Sequence, residues 1–306
     1  MTTFDVSAAR EEYSEQLVRA GILIPTGVDG FWGRSASFES VVESLIESVN
    51  RRAINDRART VRFPPLVTRA NYLRTDHIKT MPQLSGSVHS FEGDDRAHRE
   101  LVRKVDSGED YSDDLVQTDL VLCPAACYPL YPTLAGARPP RGETYDVMGY
   151  CFRHEPSRDP MRMQMFRMQE YVRVGSPEDV IGFRSEWTER ASSLLRSWGV
   201  PFDSDVASDP FFGRSGKVMA NSQKAQALKI ELLVPIIHAD HPTACVSLNL
   251  HHDHFSQTFG ITFDDGSPVH SGCLGFGLER LALALFKFHG FDIARWPDSV
   301  RNELGL

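Results

Sequence analysis

Residues 150–175, YCFRHEPSRDPMRMQMFRMQEYVRVG, concentrate the groups best suited to handling a nucleotide. Alternation puts Cys151, Arg153 and Glu155 on one face of a first strand. On the return arm Phe166, Met168 and Glu170 share a face, and the loop 156–163 between the arms carries Arg158, Asp159 and Arg162. Arginine offers a fixed fork to phosphate oxygens, glutamate accepts from an amino group, and phenylalanine presents a stacking plate. The same residues also suit a solvated hairpin tied by ion pairs. Glycines 272, 275 and 277 stand before a helix, where backbone comes close to a ligand and the helix start favours anions. The five cysteines, Cys123, Cys127, Cys151, Cys245 and Cys273, are an odd count, which argues against a disulfide framework and leaves metal binding or catalysis open. The histidines of HHDH (His251, His252, His254), with His238 and His241 nearby, are a weaker metal candidate, because side chains alternate along a strand and cannot all face one point.

These groups need elements to hold them. Residues 1–34 read as an irregular extension with a short helix at 10–20, broken by Pro25, Gly27, Gly30 and Gly33. A helix over 38–53 shows an apolar stripe of Phe38, Val41, Val42, Leu45, Ile46 and Val49, with Ser35 or Ser37 as cap. A strand at 59–63 ends at Pro64-Pro65. Residues 87–116 are polar and acidic and read as a surface connection, followed by a strand at 116–123 and a stiff loop, PAACYPLYP, at 124–132. Ser176-Pro177 starts a helix that runs to about Trp198, stopped by Gly199. Strands are expected at 224–235, where Lys229 and Glu231 share a face, at 243–250 and at 258–263. A helix after Gly277 turns Leu278, Leu281, Ala282, Leu285 and Phe286 inward, and 291–306 read as a tail without chemistry. This pattern gives an α+β fold, with an antiparallel sheet covered well on one face.

The chain of 306 residues has 41% hydrophobic and 24% charged residues, an ordinary globular composition. Its net charge of −8 argues against a broad nucleic-acid footprint, and it repels an acidic partner unless a local basic patch compensates. No apolar run approaches the ~18 residues of a membrane span. The first residues, MTTFDVSAAREEY, lack a charged-then-apolar leader, so a cytoplasmic protein is expected.

FRHE, a loop, then MFRMQEY resembles motif 2 of the class II aminoacyl-tRNA synthetases. GCLGFGLER resembles their motif 3, and the helix–strand–proline run from Phe38 is similar to motif 1, the dimer-forming element. YLRTDHIKTMPQ at 72–83 is similar to family segments approaching the active site. Spacing and cysteines together resemble the amino acid–[carrier protein] ligases, short homologues of the zinc-containing seryl-tRNA synthetase core, over about 38–290.

The resemblance implies a class II sheet flanked by helices at 35–306, preceded by an extension at 1–34, with no tRNA-binding arm. It implies activation of a small amino acid, glycine or alanine, as an adenylate at the expense of ATP with Mg²⁺. The aminoacyl group then passes to the phosphopantetheine thiol of an acyl or peptidyl carrier protein. By carry-over, Arg153 meets the α-phosphate, Glu155 the adenine amino group, and Phe166 the ring. Arg162 and Met163 close over the nucleotide, and Lys229 with Ala244, Cys245, Val246 and Ser247 lines its other side. Arg280 takes the γ-phosphate. One Zn²⁺ per chain is implied on Cys127, Glu170 and Cys273, where it holds the substrate amine. Cys123 is the rival to Cys127, and the resemblance favours the latter. Glu170 also contacts the amine, and Ser247 and Asn249 border the amino acid. A homodimer is implied and tRNA is an improbable partner. Carrier docking is expected on the helix at 179–198, with Arg184, Arg190 and Arg196. Seryl-tRNA charging and a non-catalytic regulatory paralogue are the alternatives.

Overall fold

A computed structural model describes residues 4–306. Asp5 caps helix α1 (Val6–Arg19), its carboxylate accepting from the backbone of Ser7 and Ala8, and Tyr13 and Leu17 point inward. The chain then forms a hairpin, β1 (Leu23–Val28) and β2 (Phe31–Arg34). This differs from the irregular extension expected. The glycines read as breakers serve the hairpin: Gly30 takes a left-handed turn (φ 74°), and a Cβ on Gly33 would meet Ile24 Cβ at 3.0 Å. Helix α2 (Ala36–Ala53) has the predicted stripe buried, except half-buried Ile46, and Ser35 Oγ accepting from Phe38 N.

Strand β3 (Arg59–Arg62) leads to an outlying unit. It comprises β4 (Leu66–Thr68), α3 (Arg69–Arg74), α4 (His77–Thr80), β5 (Ser87–Phe91), α5 (Asp95–Ser107) and β6 (Leu115–Leu122), with strand order β4-β6-β5. The segment read as a connection therefore holds a strand and a 13-residue helix. Helix α5 buries no residue, and its charged composition masked the short apolar face of Ala97, Leu101 and Val105, although Asp94 caps its start and left-handed Gly108 ends it.

After β7 (Gly136–Arg138) come the long arms β8 (Glu143–Phe152) and β9 (Met165–Gly175). Helix α6 (Pro177–Ser197) opens with a capping box between Ser176 and Asp179. Then follow β10 (Asp203–Val206), α7 (Gly213–Ala225), β11 (Lys229–Val234), β12 (Thr243–His252), α8 (His254–Phe259), β13 (Ile261–Phe263), β14 (His270–Gly277), α9 (Leu278–His289) and α10 (Asp298–Leu304). Three expectations are corrected here. Residues 224–228 belong to the end of α7 and its exit turn, not to the strand. Only the second half of 258–263 is strand, since α8 continues to Phe259 and β13 begins at Ile261, and β13 pairs with β7 outside the main sheet. The tail is folded: Val300 and Leu304 are buried, and Glu303 accepts from Ser48 of α2 at 3.1 Å.

The main sheet has the order β10-β11-β12-β14-β9-β8-β3. Its neighbours are antiparallel except β3 and β8, which run parallel. Leu274 and Phe276 of β14, Val246 and Leu248 of β12 and Tyr171 of β9 face the main core, where α1, α2, α6 and α9 cover them. This core includes Trp187 and Trp198, both fully buried, with Trp187 Nε1 donating to Asp56 at 2.8 Å. The opposite face is left for a groove. No helix among the described residues is long and apolar enough to cross a membrane.

Candidate functional site

Strand register builds the groove. Glu231, Ser247, Gly275 and Glu170 lie side by side across β11, β12, β14 and β9, and Lys229, Asn249, Cys273 and Val172 form the next rung. Paired residues point to the same face, so all of these line the side away from the helices. Gly275 is the low point: a Cβ there would stand 3.5 Å from Glu170 Cγ and 3.6 Å from Ser247 Oγ. The glycines of the expected Gly-rich turn thus belong to β14: Gly275 and Gly277 line the groove, while Gly272 faces α6, where a Cβ would meet Val180 Cγ1 at 2.7 Å. The groove encloses about 620 Å³, part of it open solvent, and is lined by Arg153, Met163, Phe166, Lys229, Ala244 to Ser247 and Arg280.

Arg153 and Arg280 reach this groove from opposite sides. Arg153 stands over the Phe166 ring at 5.4 Å and its Nε donates to Pro124 O at 3.4 Å. Arg280 donates to Met161 O and Ala244 O, both at 2.9 Å, and burial lowers the pKa of its guanidinium. Lys229 Nζ sits 2.7 Å from Asp209 and 2.9 Å from Glu231. Burial works against its charge, but the two carboxylates outweigh that and raise its pKa. Glu155 and Arg162 stay outside the lining residues and pair with each other at 2.9 Å on the overlying loop.

On the same floor, Cys127, Glu170 and Cys273 bring their ligand atoms within 4.8 Å of one another, all three buried. They form the one such cluster of His, Cys, Asp and Glu among the described residues. Cys127 arrives on the proline loop and its N–H donates to Glu170 Oε1 at 3.3 Å. Cys123 points elsewhere, toward Ala125 O, and burial pushes its thiol up to about 12. Burial and then the neighbouring Cys273 push Glu170 up to about 8. Bonding between the two sulfurs holds the Cys127 thiol up and the Cys273 thiol down. Three buried acids that resist ionising together are a donor set suited to a cation such as zinc.

Other residues surround this cluster or lie apart from it. His251 Nε2 lies 3.7 Å from Cys273 Sγ, while Tyr131 OH is 3.1 Å from His251 Nδ1. His252 is turned away by a left-handed backbone (φ 50°). Asp209 reaches Lys229 from the loop before α7, a contact across 20 residues with no motif to mark it. Buried Glu279 joins Arg167 (2.8 Å) and Arg34 (3.4 Å), and Arg167 reaches Glu39 (2.6 Å). Cys245 and Cys151 are buried free thiols. On α6, Arg184 donates to Ala227 O and Arg190 to Asp56, while Arg196 lies over the Phe202 ring at 5.5 Å.

Comparison with known proteins places the chain in a family. Residues 114–289 match the profile of the tRNA synthetase class II core domain (G, H, P, S and T). Amino acid–[acyl-carrier-protein] ligase 1 of Bradyrhizobium diazoefficiens is 46% identical over 283 residues, 92% of this chain and 86% of that protein. The type-2 serine–tRNA ligase of Methanococcus aeolicus is 30% identical over 196 residues, 60% of this chain and only 37% of that protein. Among solved structures, M. kandleri SerRS in complex with A. aeolicus tRNASec superposes with a TM-score of 0.82 at 20% identity, covering 95% of this chain and 60% of that one. Seryl-tRNA synthetase from Pyrococcus horikoshii, complexed with ATP, gives 0.70 at 16% identity, with 96% and 62% covered. The two structures establish the class II fold, and the Bradyrhizobium relative carries the likeness through nearly the whole length, so this chain belongs to the amino acid–[acyl-carrier-protein] ligase family, built on the class II synthetase core.

Proposed function

We propose that this groove activates a small amino acid, glycine or alanine, with ATP and hands it to the phosphopantetheine thiol of a carrier protein. The observation that carries the reading is the Cys127–Glu170–Cys273 cluster on the same floor that ends at Arg153, Lys229 and Arg280. Those three ligands would hold zinc, which when bound offers an open position to a neutral primary amine. An amine held at Glu170 leaves the adjacent carboxylate facing along β14 toward the arginines.

In the first half-reaction the carboxylate oxygen bonds to the α-phosphorus of ATP and the bond to pyrophosphate breaks. No side-chain nucleophile is required, so catalysis is positioning plus charge neutralisation. Arg153 serves the α-phosphate, Arg280 the γ-phosphate, and Mg²⁺ accompanies the nucleotide. Phe166 stacks on adenine, Glu155 accepts from its amino group once it leaves Arg162, and Arg162 and Met163 close above. Lys229 and the strand 244–247 line the far wall, with Ser247 and Asn249 beside the amino acid. In the second half-reaction the thiol sulfur attacks the adenylate carbonyl, AMP departs and an aminoacyl thioester remains. The likeness of α2 to motif 1 supports a homodimer.

The test is amino-acid-dependent ATP–pyrophosphate exchange with all twenty amino acids, on protein of known metal content, followed by mass analysis of a phosphopantetheinylated carrier. Exchange with glycine or alanine and an aminoacyl mass on the carrier are expected. Exchange with serine together with tRNA charging would move the reading to the seryl-tRNA synthetase, and no exchange at all would reject adenylation.

A further inference from the structure

The loop joining β8 to β9 carries Glu155 and Arg162, and much of what holds it comes from the first 34 residues. Gln164 is the junction. Its backbone N–H donates to Gly30 O at 2.7 Å and its side-chain amide donates to Asp29 O at 2.8 Å. Its own carbonyl accepts from Arg153 N at 2.9 Å. One residue, only 7% exposed, thus bolts the backbone of Arg153 to the tip of the β1–β2 hairpin. The fit at the tip is close. A Cβ on Gly30 would stand 3.0 Å from Arg162 O, 3.2 Å from Gln164 Cγ and 3.4 Å from Glu155 O.

Other contacts hold the same loop. Arg10 of α1 pairs with Asp159 at 3.2 Å, and Asp159 Oδ1 accepts from Met161 N at 3.0 Å. Arg34 at the end of β2 donates to Met165 O at 2.8 Å. From below, Arg280 binds Met161 O. The loop is fastened between the hairpin and α1 on one side and a groove arginine on the other. A loop fixed before the ligand arrives spares the ordering cost on binding, and small displacements of positioning groups are expensive for reaction.

We propose that the β1–β2 hairpin tip, acting through Gln164, is the positioning device for Arg153 and the nucleotide loop, so that residues 29–34 set the productive affinity for ATP. The proposal rests on the adenylation reading above. Gln164 is a positioning residue: it acts on ATP through Arg153 and the loop, not by contact.

The variants are Gln164→Glu, which replaces the amide donor facing Asp29 O with a carboxylate oxygen at almost unchanged volume, and Gly30→Ala. Arg10→Gln, at a partly exposed position, is the mild companion that retains the fold if either of these does not. Each is measured in full-length protein for ATP and amino acid KM in pyrophosphate exchange, for melting temperature, and for amide hydrogen exchange over 155–164. The expected result is a rise of about tenfold or more in KM for ATP for the first two, on the scale of small displacements. A smaller rise is expected for Arg10→Gln, with amino acid KM and metal content unchanged and faster exchange confined to the loop. Unchanged ATP KM, or ATP and amino acid KM rising together, overturns the hairpin's role while leaving adenylation standing. Exchange absent from the unmodified protein overturns adenylation and the nucleotide role of the hairpin with it.

Discussion

Cys273 and Arg280 lie on consecutive elements, strand and helix, yet are proposed to serve the metal and the nucleotide respectively, and their variants are expected to separate accordingly. Cys273→Ala leaves Cys127 and Glu170 as a two-ligand remnant. Metal analysis is expected to show zinc falling from about one per chain to near zero, with adenylate formation lost as well. Full activity in metal-free protein would reject the zinc assignment. Arg280→Ala strips a donor from Met161 O and Ala244 O and removes the cation proposed for the γ-phosphate. KM for ATP is expected to rise at least about tenfold with amino acid KM nearly unchanged, and unchanged ATP dependence would remove that role. At this scale the sequence was readable where chemistry is local. Phe166 and Glu170 follow from alternation along β9, whereas β8 ends at Phe152, so Arg153 lies one residue past the strand expected to carry it and Glu155 does not share its face on the groove. Ser247 and Asn249 came from the resemblance. Asp209 and Gln164 were not readable, because each matters only through a partner that the fold brings from far along the chain.

Elements meet most tightly at Glu279, the first acidic residue of α9, where β2, α2 and β9 converge. Arg167 donates to it from both backbone (2.6 Å) and side chain (2.8 Å) and also pairs with Glu39; burial opposes the Arg167 charge, but the two carboxylates more than restore it and its pKa is raised. Arg34 joins at 3.4 Å. Both arginine side chains are 12% exposed and Glu279 is 2% exposed, so solvent cannot replace a lost partner. Glu279→Gln is therefore expected to destabilise by about 3–5 kcal/mol, read as a lower midpoint in denaturant with unchanged slope; a loss under about 1 kcal/mol would show that the network is not a structural keystone. The strongly amphipathic elements were legible: α2 by its stripe and Ser35 cap, α6 by Ser176-Pro177 and Gly199, α9 by its leucines. Helices α5 and α7 were missed for a common reason. They bury almost nothing, α5 no residue and α7 only Gly216; α5 does carry a short apolar face of Ala97, Leu101 and Val105, but charged residues surround it and the stretch read as polar surface. The β1–β2 hairpin was missed because glycine signals a break in general and a turn only once its partner strand is known.

On the scale of the whole molecule, the outlying unit meets the groove at His77, whose Nδ1 lies 2.8 Å from Tyr72 OH and whose ring packs edge-on against Tyr128. Burial, and then the charge of Arg153, lower its pKa from 6.5 to about 4. As pH falls below 6.5 the unfolded chain takes up this proton before the folded one does. The contribution to stability is therefore intact above pH 6.5, declines as pH drops toward 4, and levels off below, a total on the order of 3 kcal/mol. Glu170 acts in the opposite sense in metal-free protein. Its folded pKa of about 8 lies above its ordinary 4.5, so the stability it adds is complete below 4.5 and is lost as pH rises through 8. The two windows overlap, and bound metal removes the second by favouring the ionised carboxylate. The decisive comparison is metal-loaded protein against its His77→Gln variant in denaturant titrations at pH 4.5, 5.5, 6.5 and 7.5. The stability difference between the two is expected to change between pH 6.5 and 4.5, the unmodified protein losing more on acidification, and to stay constant from 6.5 to 7.5. A difference that is flat throughout would mean that neither burial nor the charge of Arg153 shifts the titration of His77.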